Sequence, residues 1–314
     1  MKRKMIVVLI FIAAMLTPLF AQTENDFEVK QNTDNTLTII DYKGTVKDVI
    51  IPDTLYGLKV TIIGGSAFLN KGLTSVVLPD TVTVIADGSY VRLNSDNHGA
   101  FFGNDELAKV TLGKGIKTIG AGAFSSCGLT KVTFNNGLQT IGNNAFKGNE
   151  IVELNLPSSI KTIGDGAFSY NKIQKIIFGT GLQMIDKWAF RDNQIVELNL
   201  PSSLKTIGDV AFAYNQIESV VIPNGVTDIL LCAFSDNPIT TVVIPASLAK
   251  GHIDDAFGYA SPRHSCKITR ITIPAAMDER NLIGGFEDAF INFWKSQNKA
   301  GGTYVKRGPI WSKE

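Results

Sequence analysis

The residues able to do chemistry in this chain are few and badly placed for it. Only His98, His252 and His264 are histidines, and only Cys127, Cys232 and Cys266 are cysteines, among 314 residues. A zinc centre needs ligands that converge on one point, commonly His and Cys at short fixed spacings. No two of these histidines are three or four residues apart, and no Cys-x-x-Cys occurs. Gly120-x-Gly122 and Gly164-x-Gly166 suggest a phosphate loop, but neither has the following Lys and helix that such a loop requires. No Gly-x-Ser-x-Gly elbow presents a nucleophile. Asp254-Asp255 fits a solvated loop better than the two facing carboxylates of a glycosidase. The residues therefore point away from an enzyme and imply no cofactor and no metal.

What the chain does contain is a beat. Ala-Phe occurs ten times, and Phe124, Phe146, Phe168, Phe190, Phe212 and Phe234 are spaced by 22 residues. The pair also occurs at Phe68, Phe101, Phe257 and Phe290, off the strict period. A constant period of this length marks a stacked repeat whose units bury their apolar faces on one another. Between Ile151 and Lys172 one unit can be followed in full. Leu154 and Leu156 alternate inward from a short strand while Glu153 and Asn155 point out. Pro157 ends the strand because it has no N–H for the ladder. Ile160 and Ile163, three apart, predict a tight helical or 3₁₀ turn across the back. Gly164 is expected to ease a bend. Ala167 allows close approach, and Phe168 fills the interior, which is worth about 1.5–3 kcal/mol per coil. Asn171, with Asn149, Asn193, Asn215 and Asn237 in the same phase, is expected to bond backbone groups at the next turn. Cys127 shares that phase and so reads as a buried structural residue. It lies nearly five repeats from Cys232, about 20 Å at ~4.8 Å per strand, too far for the Cα separation of at most about 7 Å that a disulfide allows. A pairing of Cys232 with Cys266 is not favoured.

The expected fold is an α/β repeat solenoid of leucine-rich-repeat type, with short parallel strands on one face, short helical or 3₁₀ turns on the back, and a cap at each end. Its outward strand positions form two columns. The first runs from Ser75 through Lys109, Lys131, Glu153, Lys175, Glu197, Ser219 and Thr241 to Arg270, with mixed signs that suit weak ion pairs. The second runs from Val77 through Thr111, Thr133, Asn155, Ile177, Asn199, Val221 and Val243 to Thr272. Ile177, Val221 and Val243 are apolar where solvent is expected, and a solenoid face of this kind is an extended binding surface. β-propensity alone also explains β-branched residues there. Two intervals, Ala67 to Ala100 and Ala256 to Ala289, are 33 residues long, 11 more than the period. The first excess covers Asp87 to Gly99 and makes Asp87, Tyr90, Arg92 and His98 candidates for contact, since long loops carry function. Drift is the competing reading, because solenoids tolerate insertions.

The strand, Pro, Ile-Gly and Ala-Phe recur in register from about residue 46 to 290. In this the chain resembles the BspA-like, treponemal-type leucine-rich repeats, whose pattern is close to LxxLxLPxxLxxIGxxAFxxNx. The resemblance implies an exported or surface protein of the kind implicated in adhesion to host matrix or to other microbes. Its partners would be a protein or glycan ligand on a host or microbial surface. A periplasmic structural or assembly scaffold is the alternative, followed by an enzyme accessory or cryptic hydrolase using a swollen loop.

The start of the chain supports export. Lys2, Arg3 and Lys4 precede an apolar run from Met5 to Leu16, and Ala21 offers a small residue for cleavage. The expected division is a signal peptide at 1–21, an N-terminal cap at 22–45, the solenoid at 46–277 and a C-terminal cap at 278–314. Loss of the leader takes three of the 30 basic residues, leaving 27 against 29 acidic and a net charge of −2. That balance disfavours a nucleic-acid surface. No later stretch reads as a membrane span. Phe27 to Tyr42 predicts a β-hairpin, Phe286 to Trp294 a docking helix, and Tyr304 to Trp311 a final strand.

Overall fold

The computed structural model describes residues 22–90, 97–249, 251–253, 255–257, 268–275, 277–279, 286 and 288–314. Arg92, His264, Cys266 and the leader fall outside the described residues, as do the side chains of Tyr90 and His252. The chain winds as a solenoid whose coils carry a strand, a tight turn, a second strand and a broad Ala-Phe turn. Strand Glu153–Asn155 pairs in parallel with Lys175–Ile177, one period on. Pro157 follows, and Ile160 N donates to Pro157 O at 3.2 Å, closing the first turn.

The back differs from the expected helical turn. Thr162–Ile163 is a two-residue strand, paired in parallel with Thr140–Ile141 on one side and Met184–Ile185 on the other. Such pairs link a twelve-stranded sheet from Phe27–Gln31 to His252–Ile253. The 3₁₀ geometry survives as isolated i→i−3 bonds, such as Ala167 N to Gly164 O at 3.1 Å, and as the short helix Ala246–Ala249. The reason is satisfaction of the backbone. A lone turn would leave N–H and C=O groups without partners, whereas stacked two-residue strands bond to the coils above and below.

Gly164 also plays another part than a bend. A Cβ there would lie 2.7 Å from the backbone carbon of Gly142 and 2.8 Å from Asn143 N, so the residue lets successive coils touch. The bend itself needs no glycine, since Asp186 and Leu230 take the same place in their coils.

The core is a column of aromatic rings. From Phe68 to Phe257, eight successive contacts place centroids 4.8–5.6 Å apart with planes within 14° of parallel. Offset stacking at this spacing suits aromatic quadrupoles. The ends continue the column with other residues. Tyr42, on the hairpin strand Leu37–Tyr42, stacks on Phe68 at 5.4 Å. Phe286 meets Phe257 at 5.3 Å. Ala289-Phe290 therefore does not belong to a coil. It lies in the α-helix Asp288–Ser296, where Phe290 packs edge-on to Tyr304 and Trp311. The second long interval thus joins the last coil to a helix. Beyond it, the expected single strand is a hairpin, Gly302–Arg307 with Ile310–Lys313, turning at Gly308 with φ 62°. The strand Gly302–Arg307 pairs antiparallel with Arg270–Ile273 and extends the front sheet.

Candidate functional site

The front strand face is built as the two columns require. In Lys109–Thr111, Glu153–Asn155, Lys175–Ile177 and Ser219–Val221 the first and third residues are exposed and the middle one is buried. Along the first column, Lys109 and Lys131 adjoin through a single bridge. Contrary to expectation, among the described residues no two members of the column form an ion pair, and Arg270 pairs instead with Glu314 at the end of the C-terminal hairpin, at 2.6 Å. Glu153 and Lys175 are register partners with no ion pair between them.

Unlike the back, this face is interrupted. Its strands form separate sheets of three, two and five strands. No ladder joins Lys131–Thr133 to Glu153–Asn155, and none joins Glu197–Asn199 to the strand on either side. Shallow clefts open at these joints. One, of 360 Å³, brings together Lys131, Lys175 and Ile177 with Glu153 and Asn155. A second, of 510 Å³, lies one coil earlier, where the single bridge joins Lys109 and Lys131, and holds them with Thr111 and Thr133. A third, of 600 Å³, places Val221 beside Glu197, Asn199 and Glu218. Ile177 and Val221 border the same unladdered coil from opposite sides and are 52% and 59% exposed. Val243 departs from expectation. It is half-buried, because the five-stranded sheet continues past it through Thr272. Ile50 belongs to the exposed column as well, opposite Val77, and its place after Val49 in the strand-and-proline pattern carried that signal.

The long loop stands elsewhere. Its described ends leave the coil after the back strand Val84–Ile85 and return before the Ala100-Phe101 turn, away from the front strands. Ser89–Tyr90 and Asn97–His98 pair antiparallel as a small hairpin. Asp87 is taken up by the scaffold, accepting from Ala121 N at 2.7 Å. The His98 ring stacks on Phe102 at 4.1 Å. The structure thus brings Lys109, Lys131, Lys175, Ile177 and Val221 onto one face and separates them from Asp87 and His98.

The asparagine ladder is structural. Asn171 Oδ1 accepts from Ile151 N at 3.2 Å, and its Nδ2 donates to Phe146 O and Phe168 O at 2.9 and 3.1 Å. Asn104, missed by the strict period, does the same three residues after Phe101. Cys127 fills this place in its own coil. Its Sγ lies 3.2 Å from Phe101 O, and burial pushes its thiol up to about 12. Such a thiol stays protonated at neutral pH, and the thiolate is the nucleophilic form. Among the described residues no group of three or more His, Cys, Asp or Glu is placed to hold a metal ion. No helix among them is long and apolar enough to cross a membrane.

The family model of the BspA type leucine rich repeat region matches six copies, over residues 44–97, 61–180, 94–216, 140–262 and 207–281. A leucine-rich cell surface protein from Faecalibacterium prausnitzii is similar in structure, with TM-score 0.53 and 20% identity over 83% of this chain and 90% of that one. A leucine-rich repeat protein of T. pallidum aligns with TM-score 0.46 and 22% identity, over 76% and 99% of the two chains. The pneumococcal vaccine antigen PcpA aligns with TM-score 0.47 and 18% identity, over 82% and 71%. No curated protein matches the chain. The family matches run through most of its length, and the chain belongs to the BspA-type leucine-rich repeat family.

Proposed function

We propose that this member of the BspA-type family is an exported, non-catalytic recognition protein that holds an extended protein ligand against its front strand face, in an adhesive role. The observation that carries the reading is the pair Ile177 and Val221, both more than half exposed on either side of a coil without a strand ladder. Apolar side chains beside unladdered backbone offer an extended polypeptide both contacts it uses, pockets for alternate side chains and main-chain hydrogen bonds. The mixed charges of the Lys109-to-Arg270 column suit steering and register more than affinity. Export rests on the basic and apolar start of the chain.

The test is a pull-down with the purified protein from extracts of host matrix and of bacterial surfaces, run beside Ile177→Lys with Val221→Lys. Both substitutions sit at exposed positions, so the fold should persist, as circular dichroism would verify. Loss of the captured protein by the double variant supports the front face as the site. An unchanged captured set sinks it. Protease treatment of intact cells tests the location: removal of the protein places it outside, and full protection favours the periplasmic scaffold.

A further inference from the structure

A second surface lies on the Ala-Phe turns, away from the strand face. In the broad turns around Phe124 to Phe234 two residues, two before and two after the Phe, take the left-handed conformation, and around Phe68 and Phe101 only the later one does. Their N–H groups donate to the next coil, as with Tyr170 N to Arg191 O at 2.9 Å and Trp188 N to Asp209 O at 2.9 Å. The conformation is thus required by the stack. Side chains other than Gly, Asn and Asp adopt it at a cost. The earlier coils mostly use tolerant residues, with Gly103, Gly122, Asn144, Gly148 and Gly166 in these places. Then the pattern changes: Tyr170, Trp188 and Tyr214 take left-handed positions at φ 56°, 58° and 58°. They are 47%, 43% and 41% exposed. Strain held at exposed aromatic residues points to a use for their side chains.

The surroundings indicate what that use is. Arg191 lies between Tyr170 and Tyr214, its guanidinium 5.7 and 5.1 Å from the two ring centroids. This holds both rings at a spacing of two coils, where one coil step is 5.6 or 5.3 Å as measured between Phe168, Phe190 and Phe212. Lys187 lies over Trp188 at 4.8 Å. Each of these cations has an acid at hand, Asp192 at 2.9 Å from Arg191 and Asp165 at 3.3 Å from Lys187. The ridge therefore has ring faces, paired donors and acceptors, and little net charge. An anionic ligand would find its cations already matched. A protein hot spot needs a dry apolar centre ringed by contacts that exclude water, and here charged pairs separate the rings. A sugar ring fits better. Its C–H face stacks on an aromatic ring and its hydroxyl rim takes both donors and acceptors. A β-linked pyranose chain also advances by about one coil step per sugar.

We propose that the ridge of Tyr170, Trp188 and Tyr214 binds a neutral, linear β-linked glycan running along the stacking direction. The site is independent of the front face, so its failure and the failure of the protein-ligand reading are distinguishable. Of the three tryptophans, Trp294 and Trp311 are buried and Trp188 is half exposed, which makes fluorescence a local probe.

The experiment titrates the purified protein with cellohexaose, chitohexaose and xylohexaose, with maltohexaose as the α-linked control. Emission shift and protection from acrylamide quenching are read. At least one β-linked hexamer should shift and protect Trp188, with binding at least tenfold tighter than to maltohexaose. Tyr170→Asn with Tyr214→Asn should weaken that binding at least tenfold. Asn tolerates the left-handed backbone, so this variant should melt no lower than the parent, and a loss of ligand cannot be assigned to unfolding. Ile177→Lys with Val221→Lys should bind the hexamer unchanged. The proposal is overturned if no β-linked hexamer perturbs Trp188, if maltohexaose binds as well, or if the double Asn variant binds normally. Capture of a protein by the ridge in place of any hexamer, lost in the double Asn variant, would equally overturn it.

Discussion

The side chain that ties one coil to the next is the asparagine three residues after Phe101, Phe146, Phe168, Phe190, Phe212 and Phe234. Asn171 satisfies one N–H and two carbonyls that the coil turn leaves facing inward. A buried polar group left without a partner costs about 1–3 kcal/mol. Asn171→Ala leaves Ile151 N without a partner and takes one of two amide donors from Phe146 O and Phe168 O, which keep Asn149 and Asn193, so a loss of about 1–3 kcal/mol is expected, read as a lower urea midpoint. Asn171→Asp should lose at least as much at neutral pH. A carboxylate keeps the acceptor but has no N–H to give to Phe146 O and Phe168 O. Equal stability of Asn171→Asp and the parent would show that the donor bonds contribute nothing. The sequence made this ladder legible because the phase repeats at fixed chemistry. It did so even for Cys127, which stands in the ladder without an amide and keeps contacts to Phe101 O and Ser125 O. The ridge was not legible in the same way. Tyr170, Trp188 and Tyr214 stand out only once the backbone shows that Gly and Asn fill their phases in earlier coils.

Among the elements, the Phe column and the front strands follow from the pattern, since apolar alternation and a 22-residue period are both visible in the residues. The back strands do not. Thr162–Ile163 is two residues long, too short to display a period of 2, and its partners lie 22 residues away. Its single inward Ile is the same in a strand as in a turn. The left-handed positions are also invisible, because inter-coil hydrogen bonds impose them against local preference. Val210 is the clearest case. Its φ is 58° and its N–H donates to Leu231 O at 2.9 Å, yet β-branching makes this conformation costly. Asn144 holds the same phase with φ 55°. Val210→Asn should therefore stabilise the protein by about 1 kcal/mol, the order of a left-handed penalty, and raise the melting temperature by about 2 °C. A clear fall in melting temperature would mean that the half-buried Val210 side chain contributes more packing than its backbone costs. The same substitution should leave the aromatic ridge intact, which makes it the reference for the asparagine variants there.

At the scale of the whole molecule, the two sides of the solenoid are unequal. The back sheet and the Phe column run through the repeats without a break, while the front face is divided at Lys131–Thr133 and at Glu197–Asn199. A solenoid is held by contacts between neighbouring coils only, so a joint closed on two sides and open on the third can splay without coming apart. That asymmetry leaves the front face adaptable where Ile177 and Val221 stand, and keeps the spine fixed behind them. Amide exchange measures the difference, because local opening follows local hydrogen bonding and packing. On the back, Gly142, Gly164, Asp186 and Gly208 donate to Ile119, Ile141, Ile163 and Ile185, and their amides should exchange near the slowest rates in the protein. The amides of Thr133 and of Leu198 to Leu200 should exchange at least tenfold faster at the same pH. A ligand seated on the front face should slow these fast amides and leave the back unchanged. Uniform protection across front and back in the free protein would mean that the joints are closed in solution, and the front face would then be a rigid surface with no give at Ile177 and Val221.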